Sequence, residues 1–188
     1  MEAWIPITVA AAFCQNLRTA LQKHLKGRLG TTGATFVRFG YGVPFAVLYL
    51  AVLHLAFGFP LPEPTPTLVI AGALGGLAQI LATFLLIHLF SFRNFAVGTA
   101  YSKTEPVQAA LFGLIFLGET MSPGSLVAIA IAVFGVMILS IARGPISWTG
   151  LFTAIFSRTA MIGIASGTGF GIAAVAYRAA SLSLGGPN

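Results

Sequence analysis

Charge is scarce in this chain. Only 7% of its 188 residues are Asp, Glu, Lys or Arg, the four acids are all Glu, and 57% of the residues are hydrophobic. A soluble domain carries about a quarter charged residues and about 45–50% apolar ones, so this chain cannot dress a surface for water. Cysteine is nearly absent: Cys14 stands alone inside an apolar run, which excludes an intrachain disulfide and a cysteine metal cluster. No basic residue precedes Arg18, so the opening apolar run lacks the n-region of a cleaved signal peptide and reads as a first membrane span. Phosphate-loop, dinucleotide, His-Glu-x-x-His and Gly-x-Ser-x-Gly patterns are missing as well. The sequence offers no case for an enzyme, and no cofactor or metal is expected.

What is present are long apolar runs. They extend from Ala3 to Leu17, Phe39 to Phe59, Thr67 to Phe90, Gly124 to Ala142 and Thr159 to Tyr177, with a sixth from Asn94 to Gly118 broken only by Lys103 and Glu105. About 20 such residues cross a hydrocarbon core of about 30 Å. The runs are apolar on both parities, unlike barrel strands, and helices satisfy their own backbone in lipid. The fold class is an all-α polytopic membrane protein of about six transmembrane helices. Between the second and third runs, the alternating prolines Pro60, Pro62, Pro64 and Pro66 exclude a continuous helix. Gly118 to Gly124 forms a tight turn, with Ser122 able to cap the next helix and Pro123 in its first turn. The segment Ile146–Phe156, with Trp148, reads either as a short interfacial helix or as a plain loop.

The net charge of +6 is a matter of membrane orientation, since the basic residues are spread over loop ends and form no patch for nucleic acid. Lys23, Lys26 and Arg28 follow the first span, Arg93 the third, and Arg143 and Arg158 the fifth. The positive-inside rule then places loops 18–30, 91–94 and 143–158 in the cytoplasm and the N-terminus outside.

Polar groups within spans are costly, and each is therefore a functional candidate. On a continuous fourth helix, Tyr101, Glu105 and Gln108 would share one face, with Lys103 pointing elsewhere. Pro106 removes the donor that would hold the Ser102 carbonyl, which suits a broken, site-forming helix. Alternatively Lys103 and Glu105 satisfy charge through neighbouring helices and Pro106 sets a kink. Thr8, Gln15, Arg18 and Gln22 lie close to one stripe of the first helix with Asn16 beside it, either lining a cavity or bonding other helices, while Arg18 could snorkel. Arg38 either neutralises an anion or Glu105, or snorkels. Gln79, near the middle of the third span, is expected to face inward. His54 and His88 have no partner at metal-ligand spacing and read as satisfied or interfacial. Gly72 and Gly76, and Gly163, Gly167 and Gly171, give small-residue faces, read first as internal packing and second as a homodimer interface.

The stretch from Thr104 to Glu119, with its Glu105-Pro106 pair and Gly118-Glu119 close, precedes a span carrying Gly135. Together with the Arg38-Phe39 pair that opens the second span, it resembles an EamA-type repeat of the drug/metabolite transporter superfamily over about Trp4 to Ala142. The resemblance implies a secondary transporter of small polar metabolites working by alternating access in a bacterial inner membrane, with two inverted five-helix repeats around a central pathway. The implied organisation is a five-helix membrane repeat over 1–143, a loop or interfacial segment over 144–158, and the first helix of a second repeat over 159–188. On this reading the chain is a piece of a longer protein. The usual family topology puts the N-terminus in the cytoplasm, against the charge count. The pathway residues expected are Gln15, Asn16, Arg38, Gln79, Tyr101, Lys103, Glu105 and Gln108. The partners expected are a small polar metabolite, the lipid bilayer and, in the second glycine reading, another copy of the chain. A non-transporting membrane scaffold is the competing function.

Overall fold

A computed structural model describes residues 4–92, 101–118, 120–141 and 157–185. The described residues are helical or in turns and coil, without strands. Arg93, Asn94, Glu119, Arg143, Trp148 and residues 144–156 of the loop or interfacial segment expected over 144–158 lie outside them.

The helices are α1 (Trp4–Gly40), α2 (Gly42–Phe57), α3 (Pro66–Leu89), α4 (Glu105–Leu117), α5 (Pro123–Ile141) and α6 (Arg158–Leu182). Three stretches are long and apolar enough to cross a membrane: Ile5–Phe57, Pro66–Leu89 and Arg158–Leu182. The first has 53 residues and would measure about 80 Å as one rod, more than twice a hydrocarbon core. It turns back instead. Gly30, at φ 69° and ψ −176°, interrupts the helix in a backbone region essentially reserved for glycine. Residues on either side of it, Leu21, Gln22 and Leu25 before and Ala34, Val37 and Arg38 after, line one cavity. A continuous helix would hold Gln22 and Arg38 about 24 Å apart.

This geometry corrects two expectations. The basic segment 18–29 is helical rather than a loop, because Lys, Arg, Gln and Leu are good helix formers and nothing before Gly30 stops the helix. The second pass likewise begins at Thr31, well ahead of Phe39, and continues through Tyr41 into α2.

The remaining boundaries follow from local chemistry. Residues 58–65 are non-helical; Thr65 caps α3 by accepting from Leu68 N at 3.1 Å, with Pro66 in the first turn. Ser122 Oγ accepts from Ser125 N at 3.1 Å and Pro123 opens α5. Ser157 Oγ accepts from Ala160 N at 3.2 Å and opens α6. These hydroxyls satisfy amides that a helix start leaves without intrahelical acceptors.

α3 and α6 form the most extensive pair, α4 packs on α6, and α1 packs on α3, while α2 is held chiefly by α1. Small residues make the α3–α6 seam: Gly75 faces Tyr177 and Ala176, and Gly169 faces Ala78 and Ala82. Ser166 Oγ donates across it to the Ala82 carbonyl at 2.8 Å, a bond that lipid cannot replace. Elsewhere the apolar side chains face outward, Phe13 at 69% and Leu55 at 81% exposure, and α2 buries none of its residues. The accessible surface is 12681 Å², against roughly 8,600 Å² for a water-soluble monomer of this mass. That outward apolar surface is what a bilayer covers.

Contacts between passes mark two ends of the bundle. Lys26 Nζ donates to Ser91 Oγ, and the Arg158 guanidinium lies 5.8 Å from the Phe92 ring centroid, so the turn after the first pass, the end of α3 and the start of α6 share one end. At the other end Thr65 Oγ1 meets Ser183 Oγ at 3.5 Å.

Candidate functional site

The entry to α4 shapes the site. Residues 101–102 are helical, Lys103 and Thr104 form a turn, and α4 starts at Glu105 with Pro106 in its first turn. Proline is tolerated there because its missing N–H is one the helix start leaves unbonded anyway. Tyr101, Glu105 and Gln108 therefore do not share a continuous helical stripe, and Lys103 does not point away from Glu105. The break places both charges on one cavity.

The segment is fastened to α6. Thr104 Oγ1 donates to the Tyr101 carbonyl at 2.8 Å, Gln108 Nε2 donates to Thr104 Oγ1 at 2.8 Å, and Thr168 Oγ1 donates to Gln108 Oε1 at 2.5 Å. Gly163, Gly167 and Gly171 are all buried inside the chain. A Cβ at Gly167 would lie 2.9 Å from the Ser102 carbonyl, and one at Gly171 would lie 3.2 Å from Ala109 N. The Ser102 carbonyl thus meets the backbone of α6. The α3 pair behaves differently: Gly72 and Gly76 have nothing within 4 Å, and the close contact falls on Gly75.

Six of the expected pathway residues, from three passes and the α4 entry, line a cavity of about 410 Å³: Gln15 and Asn16, Arg38, Gln79, Lys103 and Glu105. Tyr101 and Gln108 are not among its lining residues; Tyr101 is 8% exposed and Gln108 is engaged with Thr104 and Thr168. Arg18, which the sequence offered either to a cavity or to the interface, also lines it, as does Tyr177, which the sequence did not single out. With helix continuing to Leu29, Arg18 lies about 16 Å from that helix end and on the wall of the cavity. Tyr177 is visible only once α6 is placed on α3.

A second cavity, of about 540 Å³, shares Arg18, Arg38, Gln79 and Tyr177 with the first and is also lined by Gln22 and Tyr41. The two form one cleft between the folded-back α1 and the α3–α6 pair. Gln79 and Phe170, near the middles of α3 and α6, put it at mid-depth. The cleft can hold a small solute between cationic, amide and carboxylate groups. No cluster of three His, Cys, Asp or Glu suited to a metal occurs among the described residues. His54 Nδ1 lies 2.8 Å from the Phe59 carbonyl, and His88 stacks on Phe84 and meets Phe92 edge-on.

Comparison with known proteins adds the family. No curated protein and no solved structure matches the chain. The EamA-like transporter family matches residues 2–141, the passes that supply most of the cleft. The chain belongs to the EamA-like transporter family and is a membrane transporter of the drug/metabolite transporter superfamily.

Proposed function

We propose that the chain moves small polar metabolites across a bacterial inner membrane by alternating access, without chemical conversion of the cargo. The observation that carries this reading is the mid-depth cavity on which Gln15, Asn16, Arg38, Gln79, Lys103 and Glu105 converge. Ionisable side chains at that depth are expensive unless they face water or a solute, and a site near the midplane is where alternation between two sides requires it. The Lys103–Glu105 turn before α4 supplies irregular backbone at a cavity wall, where such backbone is tolerated. Cytoplasmic placement of the basic end belongs to this proposal, as does a second copy meeting the open Gly72 and Gly76 face.

Cysteine accessibility tests it. In a chain whose native Cys14 is changed to Ser, Gln79→Cys and Lys103→Cys are expected to react with a membrane-impermeant maleimide, since the reactive thiolate forms in water. Leu81→Cys, at a position 62% exposed on α3 and facing lipid, is expected to stay unlabelled. Absence of labelling at Gln79 and Lys103 would favour a packed scaffold over a transporter.

A further inference from the structure

The larger cavity of the cleft is rich in donors. Arg18 and Arg38 both line it, and no acidic residue does so among the described residues. Both guanidinium groups come from within helical passes, where cations are unfavourable in a bilayer unless an anion, a ring or water meets them; Arg38 lies over the Phe39 ring at 5.2 Å, and both arginines reach the smaller cavity that carries Glu105. Gln22 lines the same cavity, is 6% exposed, and its Nε2 is buried without an acceptor. Buried amide donors almost always find partners; Nε2 is itself closed off from the cavity that Gln22 lines, and turning the amide into the cavity lets an acceptor the chain does not itself provide satisfy it. Glu105 lines only the smaller cavity.

We propose that Arg18, Arg38 and Gln22 form an oxyanion subsite that takes a carboxylate or phosphate group of the transported solute. Planar guanidinium forks match both oxyanions bidentately, and rotation of the Gln22 amide adds a third donor. The adjoining 410 Å³ cavity, with Glu105 and the amides of Gln15, Asn16 and Gln79, receives the rest of the molecule. Its identity as cargo rests on the transport reading; the binding of an oxyanion does not.

The test uses the full chain in phosphatidylcholine nanodiscs, titrated with inorganic phosphate and with acetate at matched ionic strength and followed by the thermal unfolding midpoint. Saturable stabilisation is expected, weakened about tenfold or more by Arg38→Gln and by Gln22→Leu, and weakened less by Arg38→Lys. Gln22→Leu removes an unsatisfied donor and is expected to fold at least as well as the parent, so the test survives if Arg38→Gln does not fold. A midpoint insensitive to both anions, or equally sensitive in every variant, overturns the subsite. If phosphatidylglycerol in the nanodisc stabilises the chain through the same residues while soluble anions do nothing, the oxyanion is a lipid headgroup and the solute assignment fails. Anion binding that persists where Gln79 and Lys103 resist labelling strikes the transport reading and leaves the subsite standing.

Discussion

Gly167 sits where a methyl group would lie 2.9 Å from the Ser102 carbonyl, 3.2 Å from Thr104 Oγ1 and 3.3 Å from Gln108 Nε2. The backbone atom cannot swing away as a side chain would, so Gly167→Ala must separate α6 from the α4 entry. We expect a loss of about 1–3 kcal/mol, read as a lower unfolding midpoint in detergent. Gly76, also in a helix interior but with open space around it, should respond with the opposite sign. Gly76→Ala is expected to gain up to about 1 kcal/mol from helix propensity alone. The pair shows why spacing alone misleads: both residues belong to a Gly-x-x-x-Gly pattern, and only placement of the neighbouring helix tells which one is occupied.

Among the elements, α3 and α6 are the most legible in sequence. Their runs, Thr67–Phe90 and Thr159–Tyr177, lack charge and begin beside residues that start helices, and the observed helices are Pro66–Leu89 and Arg158–Leu182. α1 is the least legible, because its basic residues mimic a loop while its real break is a single glycine among Gly27, Gly30 and Gly33. The site inherits both outcomes. Glu105, Lys103, Arg38 and Gln79 stand out as polar residues in apolar runs, whereas the partnership of Arg18 with Arg38 exists only because α1 reverses at Gly30. Gly30→Ala tests that reversal. A Cβ there meets nothing within 4 Å, so the expected loss of about 1–3 kcal/mol is backbone strain and not collision. The control is Gly27→Ala, helical and equally uncrowded, which should leave the unfolding midpoint unchanged or slightly raised.

For the whole molecule, the bonds between ends fix which connections lie together. Lys26 reaches Ser91 and Arg158 reaches the Phe92 ring at one end, while Thr65 meets Ser183 at the other. The proposed orientation places the first end in the cytoplasm, by the positive-inside rule. In intact cells of a Cys14→Ser chain, Glu63→Cys is therefore expected to react with an impermeant maleimide, and Arg28→Cys only after permeabilisation. The reverse pattern would show that the usual family topology prevails over the charge bias.

The same packing distributes stiffness unevenly. α3, α4 and α6 are joined by glycine contacts and by the Gln108–Thr168 and Ser166–Ala82 bonds, and they make a slab. α2 hangs chiefly on α1, and α1 on α3, so the first two helices make an arm lying across the cleft. Swinging that arm breaks far fewer contacts than splitting the slab. That comparatively soft motion is the one that uncovers Arg18 and Arg38.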